Sequence, residues 1–372
     1  MTVSTLDAQI QAFESRAKGI ESAYFKRIGE HIKRIGNMLP SDVNNLIEMR
    51  RLDTNMDEIK GELVRYSGKT YAEIDSLFLS LAVNSYAHAA QLMGIKSPPS
   101  AYQNEELMQL VQAQARVTKG KMFNLSNTTI RSDLYRRAVD TAVQAVQMGT
   151  TDYGSAIRMA ATRLAQTGMV VVYPTGVTRR LDSAVRQNVL DGTRALNQAV
   201  MDIVGEAFGA DGVEITAHAM CAEDHLPYQG RQYSATQFEE LQQDLLSGKK
   251  GKGRPFGIWN CRHIARPIIL GISKPAYSPE QLEEYKQKST RKTTIGGKTL
   301  TAYEWTQEQR KIETEIRRQR DIVQLASSMG SAGDGMARSA KAAIKSLEDR
   351  YVFISKSAGI ETQFNRTLPR TR

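Results

Sequence analysis

The chain has 372 residues, of which 41% are hydrophobic and 24% charged. That is ordinary globular composition, with material for two or three domains, and it excludes a wholly disordered or collagen-like chain. No uncharged apolar run approaches bilayer-spanning length, and the opening MTVSTLDAQIQAFESRAKG has acidic groups and no apolar core, so it reads as neither a secretory signal nor a transit peptide. Two cysteines make no disulfide framework and suit a reducing compartment.

The net charge of +10 is unevenly spread. Residues 1–114 carry 12 basic and 14 acidic groups, residues 115–195 carry 12 and 5, residues 196–273 carry 7 and 9, and residues 274–372 carry 19 and 12. Two segments of net +7 thus alternate with two of net −2. Such segments suit phosphate backbones or an acidic protein surface, although charge alone fits a solvated face as well.

In chain order, Leu6, Ile10, Phe13, Ala17, Ile20 and Tyr24 are spaced four, three, four, three and four, forming one stripe of a long helix that Ile28, Ile32 and Ile35 continue towards Pro40. Ser41 and Asp42 can cap a following helix. Thr70 with Glu73 has capping-box spacing and predicts a helix running from there to Gly94. Pro98 and Pro99 break the pattern, and helices follow near 104–118 and 128–148.

Near residue 170 the texture changes. Met169 to Tyr173 (MVVVY) predicts a strand, residues 178–208 a helix, and Val213–Ala217, Gly230–Ser234 and Ile264–Leu270 further strands. Beyond Pro275 the chain is again helical. Ser278-Pro279-Glu280 opens a short helix, Ile295-Gly296-Gly297-Lys298 reads as a hairpin turn, and Thr301 with Glu304 caps a helix bearing Ile312, Ile316 and Ile322. Glu313 and Arg317 stand four apart on its charged face. Gly330–Gly335 breaks that helix, and a last one spans about 336–358 before a basic tail. The expected architecture is α+β. It has a helical N-terminal region (1–150), a compact α+β central domain with a small sheet (151–273) and a basic helical C-terminal region (274–372).

Three of the five histidines crowd together with both cysteines. His218, Cys221 and His225 follow one predicted strand as His-x2-Cys-x3-His, and Cys261 and His263 precede another as Cys-x-His. Zinc takes four nitrogen or sulfur ligands in a tetrahedron, and close pairs at strand ends can supply them. The spacing is not a familiar finger pattern, and a polar cluster pinning two loops by hydrogen bonds fits equally. The same residues allow a catalytic reading, with His218 or His225 as base, Cys221 or Cys261 as nucleophile and Arg262 steadying an anion. No second motif completes a triad, so no catalytic residue is assigned. Gly296-Gly297-Lys298-Thr299 resembles the end of a phosphate loop, but Lys292 stands where its first glycine belongs, so the turn reading holds. The run from Ser247 to Arg254 (SGKKGKGR) reads as a solvated loop that could touch phosphates.

The run ITAHAMCAEDHLPYQGRQYS (215–234), paired with GIWNCRH (257–263), resembles the phage minor capsid protein 2 family, relatives of the Mu-F-type minor head proteins of tailed phages. His218, His225, Gln229, Gly230, Trp259, Asn260, Cys261, Arg262 and His263 carry the match most strongly. Tyr173 to Gly176, Arg180 to Asp182, Arg186, Tyr303 to Arg310, Ile316 to Arg318, Tyr351 to Gly359 and Gln363 to Arg366 agree with it. The likeness covers most of the chain after Tyr153 and is looser before it. Cys221 departs from the family pattern, where a small residue is usual, which leaves His218, His225, Cys261 and His263 as a four-ligand set and zinc as the one cofactor suggested.

The resemblance implies a structural protein of the virion, inside the head, made in the host cytoplasm, and not an enzyme. Its implied partners are the portal protein, the major capsid or scaffold protein and packaged double-stranded DNA without sequence preference, with no membrane. It also implies a role in head assembly, DNA packaging or infectivity, with the N-terminal helices docking through their apolar stripes. The competing readings are a virion-carried nuclease or transferase using His218, His225 and His263, and a free DNA-binding protein. For the latter no helix-turn-helix or aromatic-interleaved basic sheet is visible.

Overall fold

The N-terminal stripe forms the helix it predicts. Helix α1 spans Val3–Gly36, and Phe13, Ala17, Ile20, Phe25 and Ile28 on it are buried. Between Phe13 and Ile28 that stripe is therefore filled by the chain's own core, and docking by this stretch would have to use other faces. The computed structural model describes residues 3–36, 56–130, 141, 144, 153–173, 176–251, 253–258 and 261–367. The break at Pro40, the cap at Ser41 and Asp42, most of the 128–148 helix, Trp259, Asn260 and the end of the basic tail lie outside the described residues.

The chain gathers into two compact units, each drawn from three segments. The first comprises Met1–Ile10, Thr70–Lys121 and Gln187–Thr306, and the second Gln11–Lys69, Met122–Arg186 and Gln307–Arg372.

Three long helices contribute to the first unit: α2 (Met56–Leu92), α3 (Glu105–Ile130) and, further along the chain, α5 (Leu181–Ala207). Helix α2 runs through Thr70 without a break, because Ile59, Leu63 and Tyr66 already carry the helical spacing upstream. The Thr70–Glu73 pair is therefore mid-helix and not a start. Ile74, Leu77, Phe78, Leu81 and Ala82 form its buried stripe in this unit, facing a core that includes Leu107 and Val111 of α3 and Val189, Leu196 and Val200 of α5. The close approach here depends on Gly192: a Cβ at that position would run into Thr118 Oγ1 and stand 3.0 Å from Phe78 Cζ.

The same unit holds an antiparallel three-stranded sheet. β3 (Gly212–Ile215) lies between β4 (Gln232–Ser234) and β5 (Ala265–Ile268). Its register pairs Glu214 with Gln232 and Arg266, and Ile215 with Ala265. Helix α6 (Ala235–Leu246) follows β4 through a capping box between Ser234 and Gln237. Leu241 and Leu245 of α6 join Ile215, Phe256 and Cys261 in one core cluster, with Tyr228, Tyr233 and Phe238 packed on it. Helix α7 (Pro279–Thr290) starts with Pro279 in its first turn and a Ser278–Gln281 capping box. The hairpin of β6 (Lys292–Ile295) and β7 (Lys298–Thr301) turns at Gly296 and Gly297, both at positive φ, as the turn requires. Thr301 and Glu304 then exchange the expected capping bonds, at 2.8 and 3.2 Å, to open α8 (Ala302–Ser328).

In the second unit, α4 (Tyr153–Thr167) leads into a two-stranded hairpin, β1 (Val170–Val172) with β2 (Thr178–Arg180). The first residues of the expected 178–208 helix are thus strand, recruited by pairing with β1, and helix begins at Leu181. Beside the hairpin lies a buried charge network. Arg180 Nη2 donates to Glu21 Oε2 at 2.7 Å and to Asp321 Oδ2 at 2.6 Å, and Met169 N donates to Glu21 Oε1 at 2.8 Å. Arg317 Nε lies 3.2 Å from Asp182 Oδ2. Arg317 is therefore not the surface partner of Glu313. Glu313 is itself buried and accepts from the Tyr351 hydroxyl at 3.1 Å. Burial pushes the Glu21 carboxyl up to about 8 and that of Asp321 up to about 6. Burial also opposes the charge of Asp182, but Arg317 and Arg180 more than offset this and hold its carboxyl below the ordinary range. Ile316, Ile322 and Leu325 of α8 are buried, and the last helix, α9 (Asp334–Ala358), ends at Gly359. Among the described residues, no helix is long and apolar enough to cross a membrane.

Candidate functional site

The histidines and cysteines meet because β3 and β5 are neighbours. Just past the paired residues, Thr216 N donates to Ile264 O and Ile264 N to Thr216 Oγ1, each at 2.9 Å. This clamp lays the loop after Ile215 beside the segment before Ala265. The loop then folds back on itself: Gly230 N returns to Ile215 O at 2.8 Å, and a tight turn bonds Gln229 N to His225 O. Met220, just before Cys221, takes a positive φ of 59°.

All four residues read from the sequence as a ligand set lie in this region. His225, Cys261 and His263 are buried, and their ligand atoms lie within 4.8 Å of one another. Cys261 Sγ is 3.5 Å from His225 Nδ1 and 3.3 Å from His263 Nδ1. His218 adjoins this trio through its ring, which stacks on that of His263 with centroids 4.6 Å apart. Cys221 Sγ is 3.6 Å from the other nitrogen of His263, Nε2, and 3.2 Å from Ala222 O. The two cysteines are free thiols. Arg262, by contrast, is exposed between its two buried neighbours, as alternation along an extended segment dictates.

Three further groups shape the site and were not among the sequence candidates. Gln229 Oε1 accepts from His263 Nε2 at 3.0 Å and from His218 N at 3.1 Å, bridging loop and strand segment. The Arg254 carbonyl accepts from His225 Nε2 at 2.7 Å. The Phe256 ring packs 4.3 Å from that of His225 and 5.1 Å from that of His263. Only Gln229 left a trace in the sequence, as a polar residue inside the matched run. A backbone carbonyl has no signature there, and Phe256 carries an ordinary core identity.

Electrostatically the site is one of neutral groups. Burial, with His218 and His225 nearby, drives the His263 imidazole down to about 2. Burial likewise lowers His218 and His225. It raises both thiols, Cys221 to about 12 with Cys261 adding to the effect. Neutral imidazoles are the form that binds metals. Protonated thiols are poor nucleophiles. The neighbouring glycine- and lysine-rich loop is tied down: Lys249 and Lys250 pair with Asp244 at 3.1 and 2.9 Å, and Arg254 with Asp224 at 2.5 Å.

No curated protein and no solved structure matches the chain. The model of a family described as phage minor capsid protein 2 does, over residues 6–351. That span contains nearly all of the N-terminal region, the sheet with its histidine–cysteine loop and the first 18 of the 25 residues of α9, and by it the chain belongs to the phage minor capsid protein 2 family.

Proposed function

We propose that the protein is a structural component of a tailed-phage head, placed in the capsid interior in association with the portal and with major capsid or scaffold protein. In this reading it assembles in the host cytoplasm and supports head assembly, DNA packaging or infectivity. The observation that carries the reading is family membership across residues 6–351.

Contact with packaged DNA is supported by α9. Arg338, Lys341, Lys345 and Lys356 are exposed on it at spacings that share one helix face, with Asp334 and Asp349 on the same face and the half-exposed Glu348, paired with Arg320, at its edge. Such a face suits sequence-independent contact with phosphates. The alternative of a virion-carried nuclease or transferase asks His218, His225 and His263 to exchange protons with a substrate. The burial of His225 and His263, and the lowered affinity of all three for protons, weigh against it.

Mass spectrometry of purified virions and of empty proheads tests the proposal. The protein should be present in both, at a stoichiometry well below that of the major capsid protein. Its absence from both would sink the head-protein reading.

A further inference from the structure

Each of the three clustered histidines has one ring nitrogen facing an oxygen. His218 Nδ1 lies 2.9 Å from Ala219 O, His225 Nε2 lies 2.7 Å from Arg254 O, and His263 Nε2 lies 3.0 Å from Gln229 Oε1. Carbonyl oxygens only accept, so these three nitrogens carry the protons. The orientation of Gln229 is set independently, because its Oε1 also accepts from the backbone N–H of His218, which can only donate. In a neutral imidazole the other nitrogen is then a bare lone pair. The lone pairs belong to His218 Nε2, His225 Nδ1 and His263 Nδ1.

Two of them stand 3.5 and 3.3 Å from the same sulfur, Cys261 Sγ. A thiol has one proton and can satisfy only one of them. The third, His218 Nε2, is buried and has no hydrogen-bond partner among the described residues. Three acceptors and a single S–H therefore cannot be reconciled by hydrogen bonding alone, and buried acceptors left without donors are costly. A divalent cation resolves the conflict. It accepts all three lone pairs and displaces the thiol proton to solvent. For zinc, with bonds of about 2.0 Å to nitrogen and 2.3 Å to sulfur, a tetrahedron has an N···S edge of about 3.5 Å. The observed separations match that edge. Oxygen acceptors on the outer nitrogens are also what orients histidine ligands in zinc centres.

We propose that this cluster is a structural zinc site with His225 Nδ1, His263 Nδ1, Cys261 Sγ and His218 Nε2 as its four ligands. His218 is the ligand that must close on the ion, from its stacked position on His263. Cys221 is excluded because its sulfur sits at His263 Nε2, the edge of the ring away from the ligating nitrogen. Three nitrogens and one thiolate select zinc over magnesium or calcium. A fully protein-ligated, buried ion is structural, with no open position for substrate water.

The test uses the full-length chain purified without a histidine tag. Elemental analysis should find one zinc per chain. A strong chelator should lower the melting temperature by about 10 °C or more, with recovery on adding zinc. Cobalt substituted into the wild-type protein should give intense tetrahedral d–d bands and a thiolate-to-cobalt charge-transfer band, which needs no variant to fold. Cys221→Ser should keep stoichiometry and bands, whereas His218→Ala should weaken zinc binding at least about tenfold. Metal-free protein whose melt ignores both zinc and chelator would overturn the site. A cobalt spectrum without the thiolate band, or His218→Ala with unchanged affinity, would overturn the ligand set. None of these readouts depends on incorporation into heads, so they stand or fall apart from the functional proposal.

Discussion

Arg180→Met probes the buried network of the second unit. Arg180 Nη2 serves Glu21 at 2.7 Å and Asp321 at 2.6 Å, and the side chains of Arg180 and Glu21 are only 7% and 2% exposed. After the substitution Asp182 keeps Arg317 at 3.2 Å, while Glu21 and Asp321 lose their cation. Removing one partner of a buried ion pair costs about 3–5 kcal/mol, because a charge is left uncompensated. The cost depends on pH, since both orphaned groups can take up protons. Their carboxyls are already raised by burial, Glu21 to about 8 and Asp321 to about 6. Acids raised on folding favour the native state at low pH. Their contribution is full below about pH 4 and is lost as pH climbs through the folded values. Taking away Arg180 raises both further, so the loss with rising pH steepens. At pH 8 the variant should lose about 3–5 kcal/mol, and at pH 5.5 about 1–3 kcal/mol, the cost of poorly bonded but neutral carboxyls. The larger loss corresponds to a drop of roughly 6–20 °C in melting temperature for a unit of this size. Urea and thermal melts followed by circular dichroism at the two pH values measure it. Glu21→Gln in the Arg180→Met background should narrow the difference between them. Equal destabilisation at both pH values, or a larger one at pH 5.5, would refute the reasoning.

Four further outcomes are expected. Tyr351→Phe removes a hydroxyl that donates to Glu313 at 3.1 Å and accepts from Gln363 N at 2.8 Å, and should cost about 1–3 kcal/mol by urea titration because both partners are left unpaired. Gly192→Val should destabilise by more than about 1–3 kcal/mol, since its Cβ alone would collide with Thr118; an unchanged urea midpoint would contradict the close approach. Ile20→Asp places a charge in the core and should reduce soluble expression before it reduces incorporation into heads, a result opposite to that of a docking stripe on the surface. Reversing Arg338, Lys341 and Lys345 to Glu should abolish low-salt DNA binding by the full chain while leaving its melting temperature nearly unchanged; wild-type binding that ignores salt would itself exclude phosphate contact through α9.

What could be read in the sequence was local. The helix start at Ser278, the capping box at Thr301, the Gly296-Gly297 turn and the strands around Val213 and Ile264 depend on neighbours within a few residues, and the structure reproduces them. The failures share one cause. Thr70 with Glu73 has capping spacing, but whether Thr70 starts a helix depends on the residues before it, and those continue α2. Glu313 and Arg317 have salt-bridge spacing, but each is claimed by a residue more than thirty positions away, Tyr351 and Asp182. A four-residue spacing says which side chains could meet; it does not say that a stronger distant partner is absent.

The candidate site shows the same division in its chemistry. The sequence placed histidines and cysteines of the right type at the ends of two predicted strands, and the structure makes those strands neighbours. Whether they compete for protons depends on which ring nitrogen of each histidine is already committed, and the partners that decide this are a carbonyl at Ala219, a carbonyl at Arg254 and the amide of Gln229. Two of those three are backbone atoms, which any residue supplies. The distinction between a hydrogen-bonded cluster and a metal centre thus turns on groups with no sequence signature. A hydrogen-bonded cluster would alternate donors and acceptors around Cys261, whereas this one turns two acceptors towards one sulfur and leaves a third buried without a partner among the described residues. Gln229 tests that logic directly, because it is the one partner supplied by a side chain, and it serves both His263 Nε2 and His218 N. Gln229→Leu frees His263 Nε2 and should weaken zinc retention by about 10–100-fold while leaving the thiolate-to-cobalt band in place. Gln229→Glu, which keeps an acceptor at the same position, should restore most of the affinity. If Leu and Glu at this position behaved alike, the side-chain acceptor would not be what orients His263.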